Sequence, residues 1–278
     1  MKKTFISVFA LLMLATSLSS AQQVKETFVL LQTNKGDMKL KLYNETPQHR
    51  DNIVKLVSSH FYDGLLFHRV MKDFMIQTGD PNSKNAPKGT QLGSGSPGYT
   101  VPAEFNPLLC HKKGALAAAR TGDQINPMRA SSGSQFYIVQ GKKLSDDALN
   151  QIEAKINSGK KNDFIKVYLS KPENQRFKEE GAKYQKEGNK TKLDSINTIL
   201  MTAIDKIYKK ENEFKYTQKQ RDDYKNIGGT PFLDGTYTVF GEVVEGLNII
   251  DSIAAVKTLP GDRPEEDVKI ISAKLVGK

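Results

Sequence analysis

Two apolar runs, one carrying Arg69 and the other Gln77, meet at a turn between Phe67 and Pro81 (Phe-His-Arg-Val-Met-Lys-Asp-Phe-Met-Ile-Gln-Thr-Gly-Asp-Pro). Arg69 interrupts the first run and Gln77 the second, with Lys72-Asp73 between them. In a strand, residues two apart share a face. If the runs pair as a hairpin turning at Lys72-Asp73, then Arg69, Phe74 or Met75, and Gln77 converge on one surface. That surface carries a cation, an apolar floor and a neutral amide, which suits an apolar ligand bearing a peptide carbonyl. The stretch alone also fits a half-buried hairpin whose Arg69 pairs with a carboxylate.

The surrounding chain reads as further antiparallel strands with two helices. Thr27 to Thr33 and Met38 to Leu42 flank an Asn34-Lys35-Gly36-Asp37 turn and predict a hairpin. Thr46 as N-cap before Pro47 opens a helix carrying Ile53, Val54, Leu56 and Val57 at helical spacing. Residues 82–98 are loop-rich in Asn, Ser, Gly and Pro, without the strand–glycine–helix order of a phosphate loop. The run Ala115 to Arg120 is mostly small residues, and its repeated alanines leave space for something large on that face, a ligand or a neighbouring aromatic. Ser134 to Val139, Thr236 to Val243 and Val268 to Val276 are strand-like, and Leu247 to Ala255 fits a second helix.

Lys2 and Lys3, an apolar run from Phe5 to Leu18 and small residues at Ser19-Ser20-Ala21 have the layout of a secretory signal peptide. No cysteine follows the run, so no lipid anchor is expected. The chain is read as exported, to the periplasm or medium, without stable membrane insertion after cleavage. Cys110 is the single cysteine, so no internal disulfide framework exists and stability must come from packing. The four histidines at 49, 60, 68 and 111 lack metal-ligand spacing. Residues 142–226 hold 20 of the 41 Lys and Arg but 14 of the 31 Asp and Glu. Most of the net charge of +10 therefore sits in one segment, which argues against a nucleic-acid binder.

Three separated segments, in order, resemble the cyclophilin family of peptidyl-prolyl cis/trans isomerases. They are Phe67-His68-Arg69-Val70 with Phe74 to Asp80; Gly114 to Ala117 and Ala119-Arg120 with Gly133 to Ile138; and Leu233-Asp234-Gly235 with Tyr237 to Gly241. The resemblance covers most of residues 26–141 and 227–278. It implies a mainly β fold, a closed eight-stranded antiparallel β-barrel capped by two helices. It also implies prolyl isomerisation without cofactor or metal. Arg69 matches the catalytic arginine. Phe74, Met75, Tyr137 and Leu233 match the walls of a proline pocket, and Tyr237 its rim. Gln77 and Gln135 match the amides that hold the substrate backbone, and Ala119 and Arg120 the strand along which the peptide lies. The implied partners are proline-containing unfolded or nascent exported polypeptides, met by a monomer. The alternative is a chaperone that binds proline peptides with little turnover. Arg69 favours the enzyme, because binding alone needs no donor aimed at the proline nitrogen.

Phe232 stands where many members carry the tryptophan that binds cyclosporin, and the chain has no tryptophan. Without an indole N–H donor, weakened cyclosporin inhibition with retained turnover is predicted. A titration giving inhibition as tight as in tryptophan-bearing members would contradict this.

The organisation expected is a signal peptide at 1–21, a barrel at 22–141 and 227–278, and an inserted α-helical subdomain at 142–226. Within the insertion, Ser145 caps a helix with Leu149, Ile152 and Ile156 on one face. Phe164, Ile165, Tyr168 and Leu169 suit a short second helix, and Leu193 to Ile207 a third. Thr217 with Gln220 is a capping-box pair opening a last one.

Overall fold

Alternation sets the first hairpin. Val29 and Leu31 in Thr27–Thr33 (β1), and Met38, Leu40 and Leu42 in Gly36–Leu42 (β2), point to one buried face. A one-residue slip would turn them all outward, so the register is firmly specified. The computed structural model describes residues 26–208 and 213–277, and the signal segment expected at 1–21 lies outside them. Pro47–Ser58 (α1) follows, then Arg69–Met71 (β3), Met75–Thr78 (β4), Thr100–Val101 (β5), Ala115–Ala118 (β6), Ser131–Ser132 (β7) and Phe136–Val139 (β8). Next come Asp146–Ser170 (α2), Gln175–Lys186 (α3), Lys190–Ile207 (α4) and Gln218–Asn226 (α5). Val239–Glu245 (β9), Leu247–Ala254 (α6) and Ile270–Val276 (β10) complete the order.

Eight strands form one curled sheet in the order β10-β1-β2-β9-β6-β8-β4-β3, and every neighbouring pair is antiparallel. The closed barrel expected from sequence is not realised as a continuous ladder, because β3 and β10 are the two edges. Residues 62–65 turn back on themselves, with Leu65 N–H donating to the Tyr62 carbonyl, and cannot run extended beside β10. Single bonds hold the seam instead: Gly64 N–H to Ile270 O and Phe67 N–H to Val268 O, both 2.8 Å, with an isolated bridge at Leu66–Lys269.

The two helices cover the concave face. Ile53, Leu56 and Val57 of α1 and Ile250, Ile253 and Ala254 of α6 enter one apolar cluster with Val29, Leu40, Ile138 and Phe240. Burying each large aliphatic side chain contributes about 1.5–3 kcal/mol, so this cluster dominates the stability of the sheet.

Thr46 does not cap α1 through its side chain; its hydroxyl is buried without a partner. The carboxylate of Glu104, far along the chain, takes that place and accepts from Gln48 N–H (3.1 Å) and His49 N–H (2.9 Å). A negative charge there also suits the helix dipole. His49 bonds Glu104 through Nδ1 (2.6 Å) and Ser131 Oγ through Nε2 (2.9 Å). The order Ser–His–Glu is that of a nucleophile relay. Ser131 is only 1% exposed, however, so no substrate reaches it and the trio serves to tie α1 to β7.

Between β8 and β9 the described chain is helical. α2 runs unbroken through Gly159, where two helices were expected; Gly159 keeps a negative φ and so does not form the left-handed stop that ends helices. Ser145 caps α2 and the Thr217–Gln220 capping box opens α5. Ile196 and Ile204 are the buried positions of α4. The helices dock on the sheet domain through Leu149, Tyr216 and Tyr224, which pack with Cys110. Burial pushes the Cys110 thiol up to about 11, so it sits there as an unreactive apolar group.

Candidate functional site

Strand pairing lines up four residues on the convex face. Arg69 of β3 sits opposite Gln77 of β4, Gln77 opposite Tyr137 of β8, and Tyr137 opposite Ala117 of β6. Residues one step along, Thr78, Phe136 and Ala118, point to the other face, where Phe136 and Ala118 join the main core. The pleat thus divides each strand between core and site. Ala115 and Ala117 lie in a second cluster beneath Met75, Tyr137 and Val239, with Phe74, Leu233 and Tyr237 packed on its edge. The large neighbours that the alanines accommodate are therefore aromatic and sulfur-bearing side chains, and the alanines set the depth of the floor.

A cavity of about 160 Å³ opens above that floor, lined by Arg69, Phe74, Met75, Gln77, Ala119, Arg120, Tyr137, Leu233 and Tyr237. Nine of the eleven site residues read from sequence thus surround one space. The other two stand outside it. Gln135 is buried behind Gln77: its Oε1 accepts from Gln77 Nε2 (3.1 Å), and its Nε2 donates to the carbonyls of Gly93 (2.9 Å) and Gly95 (2.8 Å). It positions Gln77 and the glycine loop and presents no amide to the cavity. Phe232 is 58% exposed and stacks on Phe74, ring centroids 5.8 Å apart, at the outer lip.

Arg69 is half-exposed. Its Nε donates to Asp262 Oδ2 at 3.2 Å and one terminal nitrogen lies 3.1 Å from Met71 Sδ. Asp262 was not foreseen; it is 193 residues away in sequence and adopts a left-handed backbone (φ 66°) that no local pattern announces. The sequence left open a carboxylate partner or a ligand donor for Arg69, and the arginine has the first while facing the cavity. Arg120 is more committed. It donates from Nε to the Thr236 carbonyl (2.8 Å) and pairs with Asp123 (2.6 Å), and its guanidinium lies 4.5 Å above the Tyr237 ring. This latch fixes the rim.

A buried hydrogen-bonded chain stands behind the wall. Asp234 accepts from His111 N–H (2.8 Å), His111 Nδ1–H (2.7 Å) and the Tyr224 hydroxyl (2.5 Å). With Nδ1 donating, Nε2 of His111 is the acceptor for the Tyr137 hydroxyl at 3.1 Å. Tyr224 belongs to α5 and Tyr137 to the cavity wall, so the helices between β8 and β9 connect to the site through two side chains, Asp234 and His111. Burial and the nearby Asp234 carboxylate hold the Tyr224 phenol protonated. Gly79 fixes the same wall from below. It has φ +90°, and a Cβ there would meet the Ser134 carbonyl oxygen at 2.1 Å, so only glycine lets β4 approach this closely.

His68, beside Arg69, is buried, and neither ring nitrogen makes a well-formed hydrogen bond, the Leu66 backbone being a polar neighbour. Burial, aided by the Arg69 charge and opposed by Asp80, lowers its pKa from 6.5 to about 4. The unfolded chain then takes up a proton that the folded chain refuses, so stability present above pH 6.5 is lost as pH falls toward 4. Burial lowers His49 as well, with the same sign. The expected loss is about 3 kcal/mol from His68 alone, read as a falling melting temperature between pH 7 and 4.5. His68→Leu should flatten that fall; an unchanged slope would contradict the assignment.

The model of the family described as cyclophilin type peptidyl-prolyl cis-trans isomerase/CLD matches residues 28–161 and 156–275. A provisionally named peptidyl-prolyl cis-trans isomerase of Staphylococcus aureus (strain COL) is 30% identical over 257 residues, which cover 92% of this chain and 94% of that protein. A similarly named protein of Staphylococcus haemolyticus (strain JCSC1435) is 29% identical over 258 residues, with the same coverage. Among solved structures, a cyclophilin type peptidyl-prolyl cis-trans isomerase of Cryptosporidium parvum superposes with a TM-score of 0.51 at 18% identity, over 91% of this chain and 99% of that one. Its crystal structure in the presence of the dipeptide Ala-Pro gives 0.50 at 17% identity, over 90% and 99%. These superpositions speak for the fold alone.

Proposed function

Because the chain belongs to the cyclophilin-type peptidyl-prolyl cis-trans isomerase family, we propose that it accelerates rotation about X–Pro bonds in exported polypeptides, with Arg69 as the catalytic donor. The observation that carries this reading is the cavity of about 160 Å³ with an apolar floor and an arginine on its wall. A void of about 150 Å³ holds one benzene ring, so a proline ring fits. Support for an exported site of action, periplasmic or extracellular, comes from the basic start and apolar run before Ser19-Ser20-Ala21.

The chemistry requires little of the protein. Amide resonance sets a barrier of about 18–20 kcal/mol to rotation, and no covalent bond is made or broken. As the amide twists, its nitrogen becomes pyramidal and basic. A fixed donor aimed at that nitrogen binds the twisted state better than either planar one, which lowers the barrier. Arg69 suits this role because its charge is constant and its fork of donors rigid. Asp262 holds the fork through Nε. Phe74, Met75, Tyr137 and Leu233 grip the ring while Gln77 holds the backbone beside it. Residues 142–226 act as a subdomain that steadies this wall through Tyr224. His68 takes no part, since no proton moves.

In a protease-coupled assay on an X–Pro peptide, the slow phase from the cis fraction should be abolished by small amounts of the chain from residue 22. A slow phase that the protein leaves unchanged would refute the reading.

A further inference from the structure

We propose that the inserted helices complete a second subsite, taking an apolar side chain of the same polypeptide two or three residues from the proline; this rests on the isomerase reading above. A groove of about 410 Å³ lies between the sheet domain and α2, within the range of ligand clefts. Phe105, Pro107 and Phe232 form one wall, Ile156 and Phe214 the other. The lining also carries Lys160, Asp163 and Arg129.

The groove and the proline cavity share a partition. Along the turn 232–237, Phe232 and Thr236 line the groove while Leu233 and Tyr237 line the cavity. Phe232 also stacks on Phe74 of the cavity wall. An extended chain advances about 3.5 Å per residue, so a peptide held by its proline crosses this partition within a few residues. The opening is preformed. Gln220 Nε2 donates to the Pro107 carbonyl (2.9 Å) and the Tyr216 hydroxyl to the Pro231 carbonyl (3.0 Å), which fixes both flanking segments against the insertion. Phe105 and Phe232 remain exposed at its mouth. The occupant is accordingly a leucine or phenylalanine of the bound chain, and the insertion serves as part of the substrate groove.

The test uses X–Pro peptides identical except for Phe or Gln at the second or third position on either side of the proline. In the full chain, kcat/KM should favour Phe by about tenfold at one of these positions, the scale for an apolar group entering a pocket. That preference should fall to about one in Ile156→Lys, and also in Phe105→Ser on the opposite wall, each checked by an unchanged melting temperature. No preference at any position, or a preference that survives both substitutions, would overturn the subsite while leaving the isomerase intact. Should no peptide be turned over, the isomerase reading fails, and the same Phe/Gln ratio in Kd from fluorescence anisotropy decides the groove on its own.

Discussion

Arg69→Ala is expected to lower kcat/KM for X–Pro isomerisation by about ten- to a hundredfold while leaving peptide affinity nearly unchanged. The size follows from the loss of one hydrogen bond from a charged donor, about 1.5–3 kcal/mol, at about 1.4 kcal/mol per decade. It is not larger because the side chain is 42% exposed, so water screens the guanidinium. The effect falls on kcat because the donor meets a basic nitrogen only when the amide is twisted. Folding should survive, since Asp262 on losing its partner is also well exposed and regains water. Parallel measurements of kcat/KM, Kd and melting temperature check this. Turnover equal to wild type would remove Arg69 from the mechanism, and an equal loss of affinity would make it a binding residue.

Asp234→Ala is expected to destabilise the fold by about 3–9 kcal/mol, a large part of the 5–15 kcal/mol of a typical domain. Its carboxylate accepts from three donors, His111 N–H, His111 Nδ1–H and the Tyr224 hydroxyl, and both donor residues are fully buried. Removing the acceptor strands all three, at about 1–3 kcal/mol for each buried unpaired group. Two consequences should accompany the loss. The α5 helix loses a tie to the sheet domain, and His111, no longer held through Nδ1, is a looser partner for the Tyr137 hydroxyl. Urea unfolding followed by circular dichroism measures the first quantity, and the KM of the remaining folded enzyme the second. A loss below about 1 kcal/mol would mean that the three donors find other acceptors.

Several parts of this arrangement were legible in the chain. The β1–β2 hairpin, α1 and α6 follow from alternation and helical spacing, because each has one buried face. The hairpin at Lys72-Asp73 followed too, and its register alone brings Arg69 opposite Gln77. Bringing Leu233 and Tyr237 to the same cavity needed the family resemblance, since they lie more than 150 residues beyond Arg69 in sequence. What stayed hidden depends on groups that meet only after folding. Asp262 reaches Arg69 across the seam, Glu104 replaces Thr46 as the cap of α1, and Tyr224 of α5 joins Asp234 beside the cavity wall. Gln135 shows the converse. Its place in the motif suggested a ligand contact, yet its amide is spent on Gly93 and Gly95. The seam between β3 and β10 was hidden for a similar reason, because strand propensity does not report where the 62–65 turn breaks a ladder.

Exchange NMR on a peptide with one X–Pro bond, carried out with a small molar fraction of the chain from residue 22, tests the central claim most directly. It reports in one sample whether the peptide binds and how fast its cis and trans forms interconvert. Uncatalysed interconversion takes tens to hundreds of seconds; the expected result is cross-peaks between cis and trans resonances within a mixing time of about a second, faster than that uncatalysed rate. Line broadening from binding, with no such cross-peaks, would contradict the claim and leave a protein that holds proline without turning its bond.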